Sequence, residues 1–82
     1  MDNNEKQTKF RWIDESIDIS DIYPRLPKIT KDVIRDVEQA DLEDNYPMYY
    51  FLIEDIEIQT KLLVPDVISH HEWDLICWKY CP

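Results

Sequence analysis

The sequence predicts an all-α fold: a small three-helix bundle over about residues 31–42, 47–64 and 69–80, with an irregular or extended N-terminal arm. Three observations point there. Ser69 and Glu72 stand at capping-box spacing at the head of an apolar stretch, which marks a helix start. Apolar residues elsewhere recur every three or four positions, the helical period. The 82 residues contain no glycine, which excludes tight hairpins built on Asn-Gly or Gly-X turns.

Residues 1–8 are polar and terminal and are expected to form a disordered tail, leaving residues 9–82 as a single small helical domain. Residues 9–23 carry two patterns. Ile13, Ile17 and Ile19 alternate as in a strand, whereas Ile19, Ile22, Tyr23 and Leu26 follow a helical spacing. An extended arm followed by a short helical turn accommodates both, and Pro24 and Pro27 end whatever precedes them. Thr30 then suits an N-cap, Asp32 complements the helix dipole, and Val33, Ile34, Val37 and Ala40 form one apolar face. Without glycine, Glu43-Asp44-Asn45 must make the turn, with Asn45 the residue best suited to a left-handed conformation.

Pro47 suits the first turn of the second helix, where its missing N–H costs nothing. That helix carries two apolar stripes. Tyr49, Leu52, Ile53, Ile56 and Leu63 form one, interrupted by Thr60; Phe51, Ile58 and Leu62 form another on a separate side. Glu54, Glu57 and Lys61 fall between them, with Glu57 and Lys61 spaced as an i,i+4 ion pair. A strand over Met48 to Ile53 is the alternative, because aromatics and isoleucine favour sheets. In the last helix, Ile68 and Trp73 flank the capping box as a hydrophobic staple. Trp73, Ile76, Cys77 and Tyr80 share one face there, and His71, Leu75 and Trp78 the opposite one.

Composition excludes more functions than it suggests. Lacking glycine, the chain has neither a P-loop nor a dinucleotide-binding fingerprint. No stretch approaches the roughly 18–20 apolar residues of a membrane span, and the polar N-terminus is no signal peptide, so a cytoplasmic protein is expected. Cys77 and Cys81 are too few for a disulfide framework and are expected to be reduced.

The charge is one-sided. Residues 1–35 hold seven acids and seven bases, whereas residues 36–82 hold eleven acids and only Lys61 and Lys79, so the whole formal charge of -9 sits in the C-terminal part. Such a field repels nucleic acid and anionic lipid and attracts basic surfaces. The bases of the N-terminal part are interleaved with acids and make no clean stripe for phosphates.

Candidate chemistry is sparse. His70, Asp74, Cys77 and Cys81 lie along one stripe of the last helix, but at ~1.5 Å rise per residue they span about 16 Å and cannot share one ion. No metal or other cofactor is expected. A Cys77–Cys81 disulfide would distort the helix end, since side chains one turn apart diverge. The adjacent acids pair no nucleophile with a base, and three helices leave little volume for a substrate cavity, so the chain reads as non-enzymatic.

Recognition of another protein remains. Phe51, Ile58 and Leu62 supply more apolar surface than a lone bundle needs, Trp78 points away from the face carrying Trp73, and Glu54, Asp55 and Asp74 lie nearby in sequence or helical phase. These seven residues are the candidate partner-binding set, tryptophan being a frequent interface anchor and the acids selecting a basic partner. The alternative is that both stripes of the middle helix are core, sandwiched between its neighbours and the arm. Two functional readings follow. One is an inhibitor of a basic nucleic-acid-acting protein, as an immunity protein, antitoxin or phage-borne inhibitor would be. The other is a small structural or assembly domain that self-associates through an apolar helix face.

Overall fold

The computed structural model describes residues 12–81 and is all-helical there: a 3-10 turn at Tyr23–Arg25, then α1 (Lys28–Leu42), α2 (Tyr46–Lys61) and α3 (His70–Tyr80). The expected tail, residues 1–8, lies outside the described residues, as do residues 9–11. No strand occurs among the described residues, neither over Ile13–Ile19 nor over Met48–Ile53. Asp14 and Asp18 explain the irregular arm. The Asp14 carboxylate accepts from the Ser16 N–H at 3.0 Å and the Ser16 hydroxyl at 2.6 Å, and Asp18 accepts from the Ser20 N–H at 2.9 Å. Each bond turns the backbone locally in place of a sheet ladder.

α1 starts earlier than its periodicity implies, and Thr30 is not its cap. Pro27 takes the N-cap position with extended backbone (φ -63, ψ 157), and its carbonyl accepts from the Lys31 N–H at 3.0 Å. Thr30 is instead buried in the first turn, where its hydroxyl donates to Gln59 Oε1 of α2 at 3.0 Å. A bond across the interface satisfies the buried hydroxyl, which a capping role would not require to be buried at all. The apolar face is as expected: Val33, Ile34, Val37 and Ala40 are all buried.

The turn between α1 and α2 places Asp44, not Asn45, in the left-handed region, at φ 58. The Asn45 N–H bonds the Ala40 carbonyl at 2.9 Å and the Asp44 N–H bonds the Asp41 carbonyl at 3.2 Å, the paired pattern of a Schellman C-cap. Aspartate tolerates that conformation better than most residues. Asn45 is thereby free to cap α2, its side chain accepting from the Met48 N–H at 3.3 Å.

α2 ends at Lys61, three residues before the expected Val64. The following N–H groups of Leu63 and Val64 reach back only three residues, to Thr60 and Lys61, so the helix tightens ahead of Pro65. Lys61 lies 5.7 Å over the Trp73 ring, and no Glu57–Lys61 ion pair forms among the described residues. At α3 the capping box is complete: the Glu72 N–H donates to the Ser69 hydroxyl at 3.1 Å, and the Ser69 N–H to Glu72 Oε1 at 2.9 Å. Ile68 and Trp73 both join the apolar cluster.

α1 and α2 form the closest pair, and α3 packs on α2. One core includes Ile34, Val37, Tyr49, Ile56, Ile76 and Tyr80, and the arm contributes Ile13, Ile19, Ile22 and Leu26 to it. The Tyr49 hydroxyl donates to the Tyr80 carbonyl at 2.5 Å within this core, tying α2 to the end of α3. Arg25, just before α1, closes the other end: Nη1 donates to Glu72 Oε1 and to the Val67 carbonyl, each at 3.2 Å, and Nη2 makes a shorter bond to Glu72 Oε2.

Two outcomes follow. Tyr49→Phe keeps the ring and leaves the Tyr80 carbonyl without this donor, so it is expected to lower the unfolding free energy by about 1–3 kcal/mol. Urea denaturation followed by circular dichroism reads this, and wild-type stability would mean that the bond contributes nothing. Arg25, then the Ser69 N–H, hold the Glu72 carboxyl down from 4.5 to about 2. A depressed folded-state pKa adds stability above the unfolded value that is lost as pH falls through the folded one. The gap in melting temperature between wild type and Glu72→Gln is therefore expected to be full above pH 4.5 and to close towards pH 2, and a pH-independent gap excludes the mechanism.

Candidate functional site

The two stripes of α2 have opposite fates. Tyr49, Ile53, Ile56 and Thr60 are buried and Leu52 is half-buried against the core. On the other side Phe51 is 66% exposed, Ile58 63% and Leu62 79%. Among the described residues, neither neighbouring helix nor the arm covers that side, because α1, α3 and the arm all contribute to the core on the buried stripe. The second stripe is surface, not core.

Helical spacing assembles the site from a single element. Phe51, Glu54, Asp55 and Ile58 stand at i, i+3, i+4 and i+7, which brings them to one side of α2. They line a shallow depression of about 310 Å³ with an apolar residue at each end and two carboxylates between. Glu54 is exposed, whereas Asp55 is half-buried and accepts from Gln59 Nε2 at 3.2 Å, which orients its carboxylate. Leu62 extends the same face one turn beyond Ile58. Such a face can cover an aliphatic stem and balance a cationic head in one contact.

Trp78 and Asp74 are placed elsewhere. Trp78 is 61% exposed on the outer side of α3. Asp74 is half-buried, with its carboxylate 3.9 Å from His70 Nε2. Neither lines the depression on α2. The structure thus brings four of the seven candidate residues together, continues them with Leu62, and leaves two on another helix.

The sequence pattern does not single out an aromatic group that lies next to this face. Trp12 packs on Tyr46 and Tyr49 with ring centroids 5.0 and 5.1 Å away, and Tyr46 on Tyr50 at 6.0 Å. Tyr46 and Tyr50 are both exposed. Their i,i+4 spacing was visible; the ring that seats them, Trp12, comes from the distant arm.

The thiols and histidines sit in ordinary helical settings. Cys77 and Cys81 are free and half-buried. Burial foremost, with Cys81, Glu57 and Asp74 nearby, pushes the Cys77 thiol up to about 12, and burial raises Cys81 as well. Nucleophilic and metal-binding cysteines need the opposite, a stabilised thiolate. Among the described residues no group of three or more His, Cys, Asp or Glu side chains could hold a metal ion, and no helix is long and apolar enough to cross a membrane. His70 and His71 are exposed in the first turn of α3, His70 lying 5.6 Å from the Trp73 ring.

Comparison with protein-family models, curated proteins and solved structures finds no match to this chain.

Because the thiolate is the reactive form, Cys77 in the folded protein is expected to react with iodoacetamide near pH 8 on the order of a thousandfold more slowly than in the urea-unfolded chain. Mass spectrometry of timed aliquots measures this, and equal rates would reveal an activated thiol.

Proposed function

We propose that this is a non-catalytic protein-binding domain that docks on a basic partner through the outer face of α2. One observation carries the reading: Phe51, Ile58 and Leu62 stay exposed although the domain has a complete core beneath them, and Glu54 and Asp55 flank them. Burying side chains of this size is worth roughly 1.5–3 kcal/mol each, enough to anchor a partner. Exposed apolar residues in one continuous stripe are also a different matter from the scattered ones that every surface carries.

Charge selects the partner. The formal charge of -9 falls in residues 36–82, which include all of α2 and α3. Encounter with a basic surface is accelerated, and acidic or nucleic-acid surfaces are repelled. Occupying the surface on which a nucleic-acid-acting protein holds phosphates is the simplest use of such a domain, and it makes the domain an inhibitor.

The same exposed residues, with Trp78, support a second reading: self-association. Electrostatics disfavours it, because two copies meeting through acidic faces repel one another. Salt separates the readings, since screening weakens attraction to a basic partner and weakens repulsion between copies.

The test uses the immobilised domain in extract of the organism that encodes it, together with sedimentation of the free domain. The expected result is a basic nucleic-acid-acting protein retained at low ionic strength, released by a salt gradient, and not retained by Phe51→Ser or Glu54→Lys. The free domain should sediment as a monomer at micromolar concentration. Retention indifferent to salt and to both exposed-residue variants would overturn the reading, and an oligomer strengthened by salt and dissolved by Phe51→Ser would replace it with self-association.

A further inference from the structure

The outer side of α2 has a finer order than its apolar content alone. Met48, Phe51, Asp55, Ile58 and Leu62 follow one another at spacings of three, four, three and four. That is the heptad seam of a coiled coil, with the aspartate at an a position. At ~1.5 Å rise per residue it runs along one side of the helix for roughly 21 Å. Its apolar members are all exposed, from Met48 at 47% to Leu62 at 79%. Leu62 follows the last residue of α2 but keeps helical dihedrals (φ -67, ψ -15), so its place on the seam is preserved. Asp44 and Pro65, the next positions in either direction, fall in the flanking turns, and the seam is therefore two heptads long.

The opposite side of α2 is already core, with Tyr49, Ile53, Ile56 and Thr60 buried. The helix thus carries a second packing side that its own domain does not use. A repeat of 3.5 residues matches another helix lying alongside at a shallow angle; the two-residue period of a strand does not fit it.

Asp55 interrupts the seam at its centre. It is half-buried in the depression it shares with Phe51, Glu54 and Ile58, and its carboxylate accepts one bond, from Gln59 Nε2 at 3.2 Å. A carboxylate has about four acceptor sites, and water serves the rest only while the seam is open. Covering it without a cation opposite is costly. A second copy of the domain supplies none. In parallel register it sets Asp55 against Asp55, and antiparallel it sets the carboxylate against an apolar seam residue.

We propose that the seam receives a single amphipathic helix of the basic partner, with apolar residues at heptad spacing and an arginine or lysine in the position opposite Asp55. This rests on the docking face argued above and adds the shape of the occupant and the place of one charge. The stem of the basic residue lies between Phe51 and Ile58, and its head meets Asp55, with Glu54 on the flank. Lys61, on the same flank, is turned onto the Trp73 ring 5.7 Å away. One charged position in an otherwise apolar seam fixes register and rejects helices that lack its complement.

The probe is a synthetic two-heptad peptide, stapled as a helix, with leucine at its apolar positions and one arginine at the central seam position. Matched peptides carry glutamine or glutamate there, and each is titrated into the ¹⁵N-labelled protein. Saturable amide shifts centred on residues 48–62 are expected with the arginine peptide, binding about tenfold weaker or worse with glutamine, and none with glutamate. Asp55→Arg should reverse the order, taking the glutamate peptide over the arginine one. Exchanging peptides leaves the domain untouched, and the amide spectrum of Asp55→Arg reports whether its fold is kept. Equal affinity for all three peptides, or shifts centred elsewhere, overturns the proposal. So do concentration-dependent shifts of residues 48–62 in the protein alone, which mean that a second copy occupies the seam. Capture of a basic protein from extract with no binding of any peptide removes the helix and leaves the docking face. Selective binding of the arginine peptide with no protein captured keeps the seam and removes the nucleic-acid-acting partner.

Discussion

Lys79 holds the arm to the bundle, and much of the remaining architecture depends on that attachment. Its backbone carbonyl accepts from the Asp14 N–H at 2.8 Å while its ammonium donates to the Asp14 and Ile17 carbonyls. One residue near the end of α3 thereby satisfies three polar groups of a segment whose only regular element among the described residues is the 3-10 turn at Tyr23–Arg25. Asp41 does the same from the end of α1, where its buried carboxylate accepts from the Trp12 N–H at 3.0 Å. Charge-assisted bonds of this kind are stronger than neutral ones. They place Ile13, Ile19, Ile22 and Leu26 in the core, and a domain of this size depends on every such contribution to its one small core.

With the arm completing the core from the side of α1 and α3, nothing in the described chain is left to cover the outer side of α2. The exposed stripe and the arm are thus two consequences of one arrangement. The buried half of α2 meets all of its neighbours, and the other half meets solvent with Phe51, Ile58 and Leu62 on it.

The absence of glycine shapes the connections. A Schellman turn ordinarily uses glycine for its left-handed residue, and here Asp44 adopts φ 58 in its place. Each helix start is also assigned to a different device: Pro27 before α1, the Asn45 side chain before α2, and the reciprocal Ser69–Glu72 box before α3. Glu72 serves twice, capping α3 while pairing with Arg25, so local capping and long-range docking meet in one carboxylate.

The sequence by itself determined the all-α class, the existence and order of three helices, the capping box, and the apolar faces of Val33–Ala40, Tyr49–Leu63 and Trp73–Tyr80. All of these are local: periodicity and capping act within a few residues, so they can be read from neighbours along the chain. It also identified Phe51, Ile58 and Leu62 as a separate stripe but not whether anything covers them. Only the tertiary structure decided that, along with the hydroxyl bond of Thr30 to Gln59, the burial of Asp41 and the attachment of the arm. Those features join groups 29 to 65 residues apart. Whether a polar side chain caps its own helix or bonds another one, and whether an apolar stripe is core or surface, depends on which distant segment arrives beside it. No local pattern carries that information.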